Sequence, residues 1–188
     1  VMVIMGTSGC GKSTLLRHMI GSLKPDSGKA YLFGKDISNV EEFQMDQIRK
    51  KIGMLFQSAA LFDSMTVGEN IALPLVEHSR LKKTIIDIMI KMKLELVGLQ
   101  GFENFMPSQL SGGMRKRVGL ARAIVRNPEI ILYDEPTAGL DPVMSHQIDE
   151  LILSLQKKLG VTSICVTHDM TSAYRIANRI GMLHQGRT

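Results

Sequence analysis

An apolar run and a glycine-rich segment open this chain. They read Val1-Met2-Val3-Ile4-Met5 and, directly afterwards, Gly6-Thr7-Ser8-Gly9-Cys10-Gly11-Lys12-Ser13. The second segment matches the pattern G-x-x-x-x-G-K-[ST] in full, and the apolar run predicts the strand that must precede this pattern. Glycines allow backbone N–H groups to approach phosphate oxygens closely, and the following helix adds its positive dipole end. Residues 1–13 therefore predict a phosphate-binding loop between a strand and a helix.

Two side chains at the end of this loop have predicted roles. Lys12 supplies positive charge for the β- and γ-phosphates of a nucleotide, and Ser13 offers its hydroxyl to Mg²⁺. Thr14 belongs to the same predicted site, and so does Cys10, which we interpret as a small inert residue of the loop. The alternative, a glycine turn with an incidental lysine, is disfavoured by the strand before the loop and the helical periodicity after it.

A second apolar run ends in two carboxylates: Ile130-Ile131-Leu132-Tyr133-Asp134-Glu135. Ligands of α/β sheets bind beyond the carboxyl ends of the strands. We therefore predict that Asp134 holds Mg²⁺ and that Glu135 orients and deprotonates an attacking water. An acidic strand end is often only solvated, but the phosphate loop in the same chain favours the metal, because the charge on a triphosphate needs a metal to offset it. A water-activating glutamate argues for hydrolysis.

A second glycine turn lies far along the chain, at Leu110-Ser111-Gly112-Gly113-Met114, and opens a helix that reaches about residue 126. Ser111 is a suitable N-cap, and the two glycines expose backbone N–H groups, so the turn is a second candidate anion site. Taken alone it is an ordinary capped helix start. One domain rarely needs two such sites for one nucleotide.

Strand and helix signals alternate along most of the chain. Strands are predicted at residues 1–5, 30–33, 51–56, 130–133, 161–167 and 180–183, and helices at residues 12–23, 82–97 and 142–159. This alternation predicts an α/β fold, with a parallel sheet and helices on both of its faces. Strand signals disappear from residue 64 to residue 127. We therefore predict one domain, in which a core of residues 1–63 and 128–188 carries an inserted, mostly helical subdomain.

The composition fits one globular domain and excludes several classes of protein. The 188 residues are 44% apolar, and the formal net charge is +5. Apolar runs stay well below the roughly 18 residues that span a bilayer. The basic patches Arg49-Lys50-Lys51 and Arg115-Lys116-Arg117 are too short for nucleic-acid arms, so we predict no nucleic-acid partner. Cys10 and Cys165 are too few for a metal site, and they favour a reducing, cytosolic setting.

The order of the motifs resembles that of the ATP-binding subunit of an ABC transporter, over essentially the whole chain. The matching positions, in order, are the phosphate loop, Gln57, the signature turn at residues 110–114, Asp134-Glu135, Ala138-Gly139-Leu140-Asp141 and His168. The resemblance implies a P-loop NTPase core of the RecA-like type, with ATP and Mg²⁺ as its ligands.

The resemblance also implies roles for single residues. Gln57 would contact the metal and link the attacking water to a transmembrane partner, and His168 would contact the γ-phosphate. Asp141 would belong to a loop that crosses between two subunits. Members of this family bind two ATP molecules between two subunits arranged head to tail. Ser111 and Gly113 of the signature turn would therefore contact the γ-phosphate held by the other subunit. We expect a homodimer that works with transmembrane permease subunits.

Two strings resemble one branch of the family, the Mla-type lipid-asymmetry systems. They are Leu61-Phe62-Asp63-Ser64-Met65-Thr66-Val67 and Leu110-Ser111-Gly112-Gly113-Met114-Arg115-Lys116-Arg117-Val118. That branch implies movement of phospholipid between membranes, a lipid-binding partner, and a position at the cytoplasmic face of the inner membrane through the permease. Amino-acid and osmolyte importers carry similar strings with Gln at position 114. A soluble ABC ATPase that acts in repair or translation is a further alternative. A P-loop kinase is another, but it should lack the signature turn.

The sequence departs from the common pattern of the family at three places. Met114 stands where many members have Gln, and Ala138-Gly139 stands in place of Ser-Ala. The aromatic residue that stacks on adenine in this family lies upstream of the phosphate loop, and here only five residues precede Gly6. We therefore expect the chain to be a piece of a longer protein, with the stacking residue and the first strands before Val1.

Overall fold

A computed structural model describes residues 1–187, and its largest element is a five-stranded sheet. The strands are β1 (Met2–Met5), β2 (Tyr31–Leu32), β3 (Lys35–Asp36), β4 (Ile52–Leu55), β5 (Ile130–Asp134), β6 (Thr162–Thr167) and β7 (Arg179–Met182). Five of them form the sheet in the order β4-β5-β6-β1-β7, and every neighbouring pair is parallel. The carboxyl ends of β1, β5 and β6 consequently meet at one edge, where an α/β sheet binds its ligands.

Within residues 1–187, seven α-helices accompany the strands. They are α1 (Lys12–Met19), α2 (Glu42–Arg49), α3 (Val67–His78), α4 (Lys83–Leu96), α5 (Gly112–Ile124), α6 (Pro142–Leu159) and α7 (Met170–Ile176), with a short 3-10 helix at Pro107–Gln109. Helix α3 begins with a complete capping box between Thr66 and Glu69, which satisfies two of the N–H groups that a helix leaves free at its start. Helices α3, α4 and α5 are consecutive and lie within residues 64–127, the stretch without strand signals.

Both faces of the central strands β1, β5 and β6 are largely buried, as expected for parallel strands covered by helices, whereas the edge strand β7 is mostly exposed. Ile131 and Tyr133 of β5 belong to the larger apolar cluster, which includes side chains of α3 to α6. Leu132, between them, belongs to a second cluster with Leu16 of α1 and Val166 of β6. Alternate residues of β5 thus bury opposite faces, because side chains of a strand point alternately to its two sides.

Two elements differ from what the sequence pattern predicts. Helix α1 stops at Met19 rather than near residue 23, because Gly21 adopts a left-handed conformation (φ 64°) that terminates the helix. Residues 30–33 do not join the parallel sheet. Phe33 and Gly34 both have positive φ, 51° and 74°, so the chain reverses there and Tyr31–Leu32 pairs antiparallel with Lys35–Asp36.

The predicted α/β fold class is confirmed, and the remaining strands agree with their predicted ranges to within one or two residues. Helix α7 was not anticipated, because its seven residues are too few for a clear periodicity. Across residues 1–187, the helices are too short or too polar to cross a bilayer.

Candidate active site

A polar cleft of about 280 Å³ opens at the carboxyl edge of the sheet. Its lining comes from the loop after β1, the segments after β4 and β5, and the end of β6. The residues that line it are Ser8, Gly9, Gly11, Lys12, Ser13, Thr14, Gln57, Glu135 and His168. Four strands far apart in sequence thus bring most of the predicted phosphate, metal and water-activating residues to one place.

The phosphate loop follows β1 and requires glycine at specific positions. A Cβ on Gly6 would collide with the Cys10 sulfur and with the Leu183 carbonyl oxygen, so the loop closes tightly against β7 and the chain after it. Gly9 and Gly11 have φ values of 80° and 106°, which L-residues with side chains rarely adopt. Cys10 is buried and free of a disulfide.

Lys12 lies at the start of α1 and is 7% exposed. Its ammonium donates hydrogen bonds to the carbonyl oxygens of Gly6 at 2.7 Å and Thr7 at 3.1 Å, and lies 3.6 Å from Glu135 Oε1. The loop therefore holds a buried cation directly beside its own backbone. Phosphate oxygens that enter the cleft meet a positive charge already in place.

Ser13 and Asp134 form the candidate metal site. Ser13 Oγ donates a hydrogen bond to Asp134 Oδ1 at 3.2 Å, so two oxygen ligands converge between α1 and β5. Burial raises the pKa of Asp134, and the charge of Glu135 raises it further. The hydrogen bond from Ser13 and the charges of Lys12 and Arg17 lower this pKa and partly offset the increase. A carboxylate whose negative charge is thus disfavoured gains from a cation. Mg²⁺ prefers oxygen ligands and commonly uses one or two carboxylates beside substrate phosphates, so these residues fit it.

Glu135 is nearly buried, at 8% exposure, and has a left-handed backbone conformation with φ 47°. Its Oε2 accepts hydrogen bonds from Thr167 Oγ1 at 3.1 Å and from the His168 backbone N–H at 3.3 Å. Its Oε1 lies 2.9 Å from His168 Nδ1. A non-glycine residue in this conformation is unusual, and such strain is concentrated at functional sites. The turn after β5 directs the carboxylate into the cleft rather than into solvent.

Helix α7 supports the segment that carries His168. Asp169 caps the helix by accepting hydrogen bonds from two backbone N–H groups. Further along, Arg175 donates a hydrogen bond to Asp149 Oδ2 on α6 at 2.7 Å, and Ser172 also bonds to that fully buried carboxylate. Asp149 is fully buried and Arg175 is partly exposed, so removal of Arg175 would leave a buried carboxylate without its ion-pair partner, which destabilises a fold. The pair therefore holds α7 against α6, and with it the start of α7 beside Glu135.

Gln57 follows β4, is exposed, and lines the cleft together with Lys12. The Gln57 carbonyl accepts a hydrogen bond from Lys116 of α5. The position of this residue at the rim of the cleft suits the predicted contact with a metal or water, and that role remains a prediction.

The signature turn lies outside this cleft. Ser111 caps α5 by accepting a hydrogen bond from the Met114 N–H at 3.3 Å. Ser111 and Gly112 are exposed, whereas a Cβ on the buried Gly113 would collide with Met144 of α6. Asp141 caps α6, accepting from the N–H groups of Val143 and Met144 at 2.9 and 3.0 Å. The structure thus places the signature turn beside the start of α6, away from the phosphate loop.

Sequence reasoning missed two residues of this site. Thr167, fully buried at the end of β6, positions the Glu135 carboxylate. Lys116, in the basic run of residues 115–117, is buried and bonds to two carbonyls at the cleft. The available signal for Lys116 was helical spacing, because it lies three residues after Gly113 and four before Leu120 on the buried face of α5.

A model of the ABC transporter family matches residues 1–138 of the chain. The chain therefore belongs to the ABC transporter family, as the motif order predicts. The fold agrees with solved ABC cassettes. It superposes with a TM-score of 0.88 on a dimeric ATP-binding cassette in a post-hydrolysis state with ADP and Pi, at 36% identity over 98% of this chain and 81% of that one.

Another solved cassette, from Clostridium perfringens, is part of the cbiONQ ABC transporter complex. It superposes with a TM-score of 0.91, at 32% identity over 99% of this chain and 74% of that one. These two likenesses confirm the P-loop NTPase core.

Curated relatives are similar over nearly the whole chain. The probable ribonucleotide transport ATP-binding protein Mkl of Mycobacterium leprae is 44% identical over 97% of this chain and 53% of its own length. The intermembrane phospholipid transport system ATP-binding protein MlaF of Haemophilus influenzae is 44% identical over 95% of this chain and 67% of its own length. MlaF of Escherichia coli K12 is 43% identical, over 97% and 68%. The chain spans about half the length of the Mkl proteins that it matches.

Proposed function

We propose that this protein is the ATP-binding and ATP-hydrolysing subunit of an ABC transporter that moves phospholipid or another lipid between membranes. The observation that carries the hydrolysis is the position of Glu135. Its carboxylate is held by Thr167 and the His168 backbone on one oxygen, and its other oxygen lies beside Lys12 and the His168 ring. Water activation needs a carboxylate held in this way next to bound phosphate.

Within the cleft, each residue has a defined part in the proposed reaction. Backbone N–H groups of the phosphate loop and the start of α1 bind the phosphates, and Lys12 contributes its charge to the β- and γ-phosphates. Glu135 accepts the proton of the attacking water, and His168 contacts the γ-phosphate. Mg²⁺, held by Ser13 and Asp134 with Gln57 as a further contact, would offset the phosphate charge.

The signature turn supports action as a dimer. Its exposed donors at Ser111 and Gly112 lie outside the cleft of their own chain, and one of the similar cassettes was solved as a dimer with ADP and Pi. In a head-to-tail homodimer, the signature turn of one subunit would complete the phosphate site of the other. Asp141, next to that turn, would lie at the same interface.

An apolar groove supports a membrane partner. It has a volume of about 470 Å³ and lies between α2, β4, α3 and α5. Phe56 and Phe62 line it and are 42% and 50% exposed, on either side of the loop that begins at Gln57. A permease segment seated here would contact that loop directly. The proposal accordingly has the subunit at the cytoplasmic face of the inner membrane, attached through its permease.

Lipid as the transported substrate rests on similarity to MlaF, whose name states phospholipid transport. Equal identity to Mkl, named for ribonucleotide transport, favours a second candidate substrate. A lipid-binding partner belongs to the first candidate only.

The test uses the complete subunit purified with the membrane proteins that accompany it. Reconstituted in vesicles, the assembly should transfer labelled phosphatidylglycerol in an ATP-dependent way, and Glu135→Gln should abolish the transfer. Uptake of labelled ribonucleotide without lipid transfer would contradict the lipid substrate but not the ATPase. Failure of the wild-type assembly to hydrolyse ATP would contradict the proposed function as a whole.

A further inference from the structure

Lys116 is a charged side chain in an apolar position. It lies on the face of α5 that also carries Gly113, Leu120 and Ile124, and it is only 5% exposed. Its ammonium donates hydrogen bonds to the Gln57 carbonyl and, at 3.3 Å, to the Glu135 carbonyl. These acceptors follow the neighbouring strands β4 and β5. One side chain therefore ties together the two segments that carry Gln57 and Glu135 into the cleft.

A buried ammonium is costly, because burial disfavours the charged form. Burial lowers the pKa of Lys116, and the carboxylates of Asp134 and Glu135 partly offset that. Apolar side chains fill the neighbouring positions of the same face. If packing were the only requirement, an apolar residue at position 116 would meet it. The feature that an apolar residue could not supply is the pair of hydrogen bonds to the Gln57 and Glu135 carbonyls.

Other side chains of α5 bind the rest of the loop after Gln57. Arg122 donates hydrogen bonds to the carbonyls of Ala59 and Ala60 at 2.7 and 2.8 Å. Both alanines have positive φ, 62° and 47°, which is an unfavourable conformation for residues with a Cβ. Arg115 pairs with Asp63 at 3.1 Å. Helix α5 thus fixes this loop at three points, of which the Lys116 contact alone also reaches the segment of Glu135.

We infer that Lys116 is a positioning residue for ATP hydrolysis, which sets the distance between the Gln57 and Glu135 segments. The inference rests on the proposed ATPase function. Gln57 and Glu135 line the same cleft from adjacent strands. If the Lys116 bonds are lost, the two backbones are no longer joined there, and both side chains shift relative to bound phosphate. A displacement of about 1 Å can cost on the order of 100-fold in rate.

Lys93 is the matched control. It lies on α4, is 6% exposed, and donates a hydrogen bond to Asn127 Oδ1 at 2.6 Å. Burial lowers the pKa of Lys93 as it does that of Lys116. Neither lysine lines the cleft itself, but both acceptors of Lys116 belong to residues that do, whereas Asn127 does not. Replacement of either lysine by methionine removes a buried ammonium of the same kind, but only one of the two changes disconnects the cleft.

The experiment compares Lys116→Met, Lys116→Gln and Lys93→Met with the wild type in the complete subunit. Phosphate release gives kcat and KM, titration with labelled ADP gives nucleotide affinity, and thermal unfolding gives stability. Lys116→Met should lower kcat roughly 10- to 100-fold and change ADP affinity less than about twofold. Lys116→Gln keeps N–H donors and should recover part of kcat. Lys93→Met should leave kcat within about twofold, even if it lowers the melting temperature.

Several results would overturn the inference. Unchanged kcat in Lys116→Met, or an equal loss of kcat in Lys93→Met, would leave Lys116 a packing residue. A loss of ADP affinity as large as the loss of kcat would assign it to binding instead. If Lys116→Met fails to fold, Lys116→Gln serves as the test. The inference then requires that Lys116→Gln lowers kcat while its melting temperature stays near that of the wild type, and an unchanged kcat would overturn it. Absence of phosphate release from the wild type would contradict the proposed function itself.

Discussion

The phosphate loop and the signature turn are built from the same local parts but have different surroundings. Each is a glycine-containing turn that leads into a helix, at α1 and α5 respectively. The phosphate loop contains a buried lysine and faces Glu135 and His168 from other strands. The signature turn packs on Met144 of α6, and its cap residue Ser111 is exposed.

The comparison shows how one chain can carry two candidate anion-binding turns with unequal surroundings. Backbone N–H groups at a helix start follow from local sequence and are present at both turns. At the signature turn one of them, the Met114 N–H, is bonded to Ser111, whereas α1 has no side-chain cap. The lysine belongs to the sequence of the phosphate loop itself, whereas Glu135, the proposed base, and His168 come from other strands through tertiary packing and reach the first turn. We therefore expect the phosphate loop to bind nucleotide within one subunit, and the signature turn to act on nucleotide held by another.

The largest effect should come from Glu135→Gln. The amide keeps the shape of the side chain but removes the proton acceptor, so we expect hydrolysis to fall by about 10²–10⁴-fold. ATP binding should persist and trap a closed dimer. Phosphate release and size-exclusion chromatography with ATP measure the two effects. Turnover close to that of the wild type would show that Glu135 is not the base.

Lys12→Ala should weaken nucleotide binding at the phosphate loop. The change removes the charge that the loop holds at its own backbone. A hydrogen bond to a charged group contributes about 1.5–3 kcal/mol, so ATP affinity should fall by roughly 10- to 100-fold. Titration calorimetry with the complete subunit measures the affinity. If the Lys12→Ala subunit binds ATP as tightly as the wild type, the assigned phosphate site is wrong.

Mixing two inactive variants tests whether the signature turn acts across a dimer. In the proposed dimer, each site combines the phosphate loop of one subunit with the signature turn of the other. Lys12→Ala disables the phosphate loop, and Ser111→Arg blocks the signature turn at an exposed position. In a random mixture half of the dimers carry both variants, and each of these has one intact site. Activity should then reach about a quarter of the wild-type value. If the mixture is as inactive as either variant alone, the head-to-tail arrangement does not apply.

The smallest effect concerns Asp141, which caps α6 beside the signature turn. Asp141→Ala removes an N-cap and should cost about 1 kcal/mol of stability in denaturant unfolding. Asp141→Asn keeps the cap and should leave stability unchanged. If Asp141 also acts across the dimer interface, Asp141→Asn should still lower ATP hydrolysis. Normal hydrolysis in that variant would limit Asp141 to its capping role.

Most of the cleft was predictable because its residues lie in short motifs with local causes. The glycines at 6, 9 and 11, the lysine at 12 and the carboxylates at the end of β5 all lie next to a strand end or a helix start. The hairpin at residues 31–36 was not predictable from apolar pattern alone. Its partner strand has two residues, and the turn depends on positive φ at Phe33, which sequence pattern does not favour.

The order of most elements, the phosphate loop and the family follow from the amino-acid sequence alone, because they depend on spacing along the chain. Which side chains meet depends on the tertiary structure. Thr167 reaches the Glu135 carboxylate across 32 positions, and Lys116 reaches the Gln57 carbonyl across 59. Such contacts arise when parallel strands and a buried helix face bring distant backbones together. Local pattern shows that a position is buried, whereas the partner of a buried polar group depends on how the elements pack.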